Sequence, residues 1–92
     1  MISLEDVIGF CDLTPDEIQV VAEHEHVSQA TAAVLGNYLL QSQYGCEKIR
    51  DMLIAEIRTA VREHDVAHAR LLVSTLRHFL SEHPNAAFRQ GA

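Results

Sequence analysis

The residues of this chain best suited to chemistry are Glu23, His24, Glu25 and His26, which alternate carboxylate and imidazole over four consecutive positions. On a helix, Glu23 and His26 share a face, and this Glu-x-x-His spacing lets one oxygen and one nitrogen reach the same ion from one element. Asp65 and His68 repeat the three-residue spacing, and His64 and His68 stand four apart. Glu23, His24, His26, His64 and His68 therefore form the candidate set for a divalent transition metal such as Zn²⁺, Fe²⁺ or Ni²⁺. Metal binding is the alternative here, and the leading expectation is a chain with no cofactor, because a polar helix end is ordinarily solvated and the dipole favours histidine at a helix C-terminus. There are six histidines, and protonating all of them moves the net charge from −6 to about zero.

Other reactive groups are sparse. Cys11 and Cys46 are too few and too unpatterned for a disulfide framework, and the simplest role for each is a small buried apolar side chain. Cys46 precedes Glu47 and Lys48 at an expected helix start, where amides and a nearby cation would lower a thiol pKa. No glycine-rich phosphate loop, Gly-x-Ser-x-Gly elbow, Cys-x-x-Cys or His-Glu-x-x-His is present, so no enzyme class is indicated. Arg58 and Arg62, four apart, and Arg70 and Arg77, seven apart, fall on two successive helices and form basic stripes. Such stripes are either a solvated face or a docking surface for an acidic helix, which another copy of the chain can also supply.

The distribution of charge separates the function classes. Residues 1–46 hold seven carboxylates and no Lys or Arg, whereas residues 47–92 hold six carboxylates against seven cations. An acidic half without a fixed cation cannot track a phosphate backbone, which argues against nucleic acid and equally against an acidic lipid surface. A chain of 92 residues that is 48% hydrophobic is one small soluble domain, with a modest core to which a partner or a second copy can add. Glu5 and Asp6 stand where a signal peptide carries positive charge, and no apolar run is long enough to span a bilayer, so the expected location is cytoplasmic.

These side chains must be positioned by helices. Ser3 and Asp6 suggest a cap for a short helix ending near Gly9 or Phe10. Thr14-Pro15-Asp16-Glu17 is the strongest start signal, with Thr14 as N-cap, Pro15 at the first helical position and Glu17 reaching back. That helix should end near His24 or Glu25, bury Ile18, Val21 and Ala22, and leave Asp16, Glu17 and Glu23 to solvent. Ser28 caps a third helix whose stripe is Ala30, Ala33, Val34, Tyr38 and Leu39, fading over residues 41–44, with Gly45 as punctuation. A fourth runs from Cys46 or Glu47 to about Glu63, carrying Ile49, Leu53, Ile57, Ala60, Val61 and His64 at three- and four-residue spacings. Asp65 caps the fifth, Val66 to about Ser81, which buries Leu72, Leu76, Phe79 and Leu80 before Pro84 stops it. No segment alternates as a strand does. The expectation is an all-α, compact bundle of about five short helices with a C-terminal antiparallel helical hairpin, a single domain over residues 1–84 and a flexible tail over 85–92.

Residues Val21 to Leu35 resemble the helix-turn-helix of the lactose-repressor family, with a small residue at Ala22, a turn, and Val27-Ser28-x-x-Thr31 opening the second helix. That resemblance implies DNA binding, but His26 occupies the turn-glycine position and the second helix offers Gln29, Ala32, Ala33 and Val34 to a groove without one Arg or Lys. The likeness is read as fortuitous. More broadly, Ile2 to Pro84, with Ile2-Ser3-Leu4-Glu5-Asp6, Leu13-Thr14-Pro15-Asp16-Glu17, Glu23-His24-Glu25-His26, Leu35-Gly36-Asn37-Tyr38-Leu39 and Leu76-Arg77-His78-Phe79, resembles a group of small uncharacterised bacterial helical proteins. The resemblance implies a compact all-α fold and a bacterial cytoplasmic setting, and it carries over no activity and no functional residue. The function expected is a non-enzymatic helical module that binds a protein partner or itself, with a homodimer as one form.

Overall fold

The computed structural model describes residues 13–86, and all of their regular structure is helical. Four α-helices, α1 (Pro15–Glu25), α2 (Gln29–Gln41), α3 (Gly45–Arg62) and α4 (Val66–Glu82), are followed by a 3₁₀ turn at Pro84–Ala86. That is one α-helix fewer than the five expected, and the short helix expected before Gly9 lies outside the described residues. No described helix is long and apolar enough to cross a membrane.

Three of these helices, α1, α2 and α4, begin where a side-chain oxygen accepts from an orphan amide, whereas α3 starts after Tyr44 without a side-chain cap. Thr14 accepts from the Glu17 amide at 3.2 Å while Glu17 Oε1 accepts from the Thr14 amide at 2.9 Å, closing a capping box with Pro15 inside it. Ser28 Oγ accepts from the Thr31 amide, and Asp65 Oδ1 from the His68 amide. Helix α1 ends on His26 in the left-handed conformation, at φ 57° and ψ 46°, with its amide bonded to the Ala22 carbonyl. An imidazole thus occupies the conformation that glycine fills most cheaply.

The break between α2 and α3 differs from the expectation. The chain leaves the helix at Ser42, turns through Tyr44 at φ 65°, and Gly45 is the first residue of α3 rather than the end of α2. Gly45 is buried against the backbone of Leu39, and a Cβ there would collide with the Leu39 carbonyl. Its role is close approach of two helices.

One core joins the elements. Ile18 and Val21 of α1, Ala32 and Ala33 of α2, Ile49 and Leu53 of α3 and Phe79 of α4 are all essentially inaccessible. Small residues on α2 let α1 and α3 approach it, and Gly36 receives Leu13 from the segment before α1. The most extensive contact is between α3 and α4, which are joined by only Glu63, His64 and Asp65. The C-terminal end of this body is fixed by Ala86, which is buried and whose carbonyl accepts from Arg50 Nη1 at 2.8 Å.

Two expected faces are turned. On α2 the buried side is Ala32, Ala33, Gly36 and Leu39, so Val34 and Tyr38, expected in the core, are 66% and 68% exposed. On α1, Glu17 was expected in solvent and is instead 2% exposed. The capping box draws it inward, because bonding back to Thr14 folds the carboxyl against the helix end.

Candidate functional site

Among the described residues, a groove of about 600 Å³ runs along the α3–α4 pair. Its walls are Ile57 and Val61 from α3 and Val66, Ala69 and Val73 from α4, which recur at spacings of three and four and so stack along the facing sides of the two helices. Val61 and Val66 are about three-fifths exposed, so the apolar lining is open to water. Arg70, Arg77 and His64 complete the lining, and no carboxylate contributes to it. Neither α1 nor α2 reaches this groove.

The four candidate arginines divide. Arg70 and Arg77 line the groove from α4, whereas Arg58 and Arg62 are exposed on α3 outside its lining. Residues seven apart return to nearly the same face after two turns, which is why Arg70 and Arg77 share a wall; Arg58 and Arg62 each follow a lining residue, Ile57 and Val61, and are rotated about 100° away.

The five metal candidates do not converge as one set. His24 Nδ1 lies 3.3 Å from Glu56 Oε1, tying α1 to α3, while Glu23 Oε1 accepts from Gln19 Nε2 at 2.9 Å. His26 and His64 each sit in a left-handed turn position, and His64 belongs to the apolar groove. Glu23 and His68 both line a small pocket, together with Asp16, Leu71 and Leu72. Among the described residues no group of three or more His, Cys, Asp or Glu side chains is arranged to hold a metal ion.

In the segment that resembles a helix-turn-helix, α1 ends on a left-handed His26 and Ser28 caps α2. Gln29, the polar side chain at the start of α2, is engaged internally with Gln19 Oε1, and Ala32 and Ala33 are buried.

Glu17 is the polar group that the periodicity did not single out for burial. Its Oε2 is buried and has no hydrogen-bond partner among the described residues. A cavity of about 340 Å³ lies beside it, lined by Thr14, Glu17, His78, Glu82 and His83. Burial pushes the Glu17 carboxyl above the ordinary carboxylate range, opposed by the Thr14 amide and by His78 and His83. Cys46 is buried too, and desolvation raises its thiol rather than lowering it, outweighing a hydrogen bond from Asn85. Its place at the α3 start does not make it a thiolate. Cys11 lies outside the described residues.

Compared with known proteins, the chain matches no family model, no curated protein and no solved structure.

Proposed function

We propose that this protein is a non-enzymatic interaction module whose α3–α4 pair, as an antiparallel helical hairpin, docks an acidic amphipathic helix of a partner protein. The observation that carries this reading is the open groove of Ile57, Val61, Val66, Ala69 and Val73 with Arg70 and Arg77 in its wall and no carboxylate among its lining residues. A helix laid in such a groove seats apolar residues at every third or fourth position and turns its flanking carboxylates toward the guanidinium groups. The apolar contacts supply affinity, and Arg70 and Arg77 set orientation and exclude basic helices. Arg58 and Arg62 act at longer range by attracting the acidic partner before contact.

The test is fluorescence anisotropy with two labelled helical peptides that carry Leu on one face and either Glu or Lys on the other. The Glu peptide is expected to bind, the Lys peptide to fail, and Arg70→Glu with Arg77→Glu to weaken the Glu peptide at least tenfold. Val61→Glu should abolish binding while leaving the fold intact, since Val61 is mostly exposed. Equal binding of both peptides, or binding indifferent to Val61→Glu, would overturn the proposal.

A further inference from the structure

The cavity beside Glu17 lies where one helix begins and another ends. Thr14 and Glu17 come from the start of α1, His78 and Glu82 from α4, and His83 is the residue on which α4 stops. Glu17 is 2% exposed, its Oε1 is taken by the Thr14 amide, and its Oε2 has no hydrogen-bond partner among the described residues. A buried carboxyl oxygen without a donor is costly, and an N–H group brought to it removes that cost. The ring of His83 is held against Phe79, whereas His78 and Glu82 are exposed side chains. Exposed side chains change rotamer rapidly, and a turn of either one opens the carboxyl to an incoming group.

The lining fixes the sign of that group. It holds two carboxyls and no Lys or Arg, and among the described residues neither carboxyl is in an ion pair. The positive end of α1 already has Asp16 and Glu17 in its first turn and is closed by Thr14, whereas the negative end of α4 carries Glu82 and no basic residue in its last turn. With the imidazoles uncharged, the unbalanced charge is negative, and each ring adds a nitrogen that accepts from a donor. The fitting ligand is larger than a metal ion, because among the described residues no three His, Cys, Asp or Glu side chains are arranged to hold one. The cavity of about 340 Å³ instead reaches the lower end of the roughly 300–1,000 Å³ typical of small-molecule sites. A second cavity of about 330 Å³ shares Thr14 and His78 with it and adds Asp16, Ser74 and the half-exposed Leu71, which gives room for a short carbon chain.

We propose that the Glu17 cavity binds a small organic cation through its N–H donors, a primary alkylammonium or a guanidinium, with Glu17 as the buried anchor and Glu82 as the outer counter-charge. Glu17 Oε2 accepts one N–H, the Glu82 carboxylate a second, and a ring nitrogen of His78 or His83 a third. The carbon chain of the ligand lies in the adjoining cavity beside Leu71. The Glu17 cavity shares no lining residue with the α3–α4 groove, and each site stands without the other.

Carbon-detected NMR of the full chain, titrated with n-propylammonium chloride and separately with methylguanidinium chloride at neutral pH and constant ionic strength, tests the proposal. Both probes are expected to shift the Glu17 carboxyl and His78 ring resonances saturably, with dissociation constants on the order of millimolar for ligands of so few atoms. Tetramethylammonium has the same charge and no N–H, and should leave both resonances in place. Glu17→Gln keeps an acceptor for the Thr14 amide, so its helical circular-dichroism spectrum should be unchanged while binding, followed at His78, weakens at least tenfold. Glu82→Gln, at an exposed position, should weaken it at least threefold. The absence of a saturable shift, a tetramethylammonium response equal to that of propylammonium, or undiminished binding to Glu17→Gln would each overturn the proposal.

Discussion

The Thr14 amide donates to Glu17 Oε1 at 2.9 Å, and this bond holds a carboxyl whose other oxygen has no partner among the described residues. The group that starts α1 is thereby kept in a site that disfavours its charge. Because burial raises the folded-state pKa above the ordinary carboxylate value, the unfolded chain releases the Glu17 proton first as pH rises. Folding stability therefore falls through the window between the two pKa values and stays lowered above it. Glu17→Gln keeps an acceptor for the Thr14 amide and removes the charge. The variant should melt close to wild type near about pH 4 and above it near about pH 8. Melting curves over that range check the sign, and a variant less stable than wild type at every pH would mean that the ionised carboxyl is favoured in the fold.

Gly36 and Gly45 make opposite predictions for the same substitution. A Cβ on Gly45 meets the backbone carbonyl of Leu39, which cannot move without displacing α2 against α3. A Cβ on Gly36 meets Leu13 Cδ1, the end of a flexible side chain. Gly45→Ala should cost about 2 kcal/mol or more, whereas Gly36→Ala should fall within about 1 kcal/mol of wild type as repacking offsets the better helix propensity of alanine. Urea unfolding of the two variants distinguishes them, and similar losses in both would mean that α2 and α3 are less closely apposed.

The caps were legible in the sequence because capping is local. Thr14, Ser28 and Asp65 each stand a few residues from the amides they serve, and the residue types alone specify the bonds. The face of α2 was not legible, because it has small residues on one side and Val34 and Tyr38 on the other, and hydrophobicity by size points to the wrong side. What selects Ala32, Ala33 and Gly36 for the core is the close approach of α1, α3 and Leu13, a tertiary condition. The same holds at the candidate groove. The seven-residue repeat places Arg70 and Arg77 together, but which face of α3 meets α4, and so leaves Arg58 and Arg62 outside, depends on packing. Glu17 reads as solvated by helical period, yet its capping bond belongs to the same sequence signal that locates the helix start.

Cys46 is buried in the core cluster with its thiol pushed up by desolvation, so it should be unreactive while the protein is folded. In a Cys11→Ser background, an Ellman-type reagent near about pH 8 should label Cys46 at least tenfold more slowly than it labels the urea-unfolded chain. The rate should track unfolding as denaturant is added. Prompt labelling of the native protein would show that the α3 start is open to solvent.

Phe79 and Leu71 lie on the same helix and separate core from surface there. Phe79 is fully buried, with its ring centroid 4.6 Å from that of His83, while Leu71 is 51% exposed. Removing the ring in Phe79→Ala deletes a large side chain at the meeting of α4 with the core and should cost about 3–5 kcal/mol. Domains of this kind are stable by roughly 5–15 kcal/mol in total, so that loss moves the denaturation midpoint far to the left or leaves the chain largely unfolded. Leu71→Ala removes a comparable apolar group from a half-solvated position and should cost less than about 1 kcal/mol. Denaturant midpoints measured on both variants with an unchanged slope compare the two positions directly. If Leu71→Ala proves the costlier change, the face that α4 turns to the core is rotated from the one described, and the side of the helix carrying Arg70 and Arg77 rotates with it.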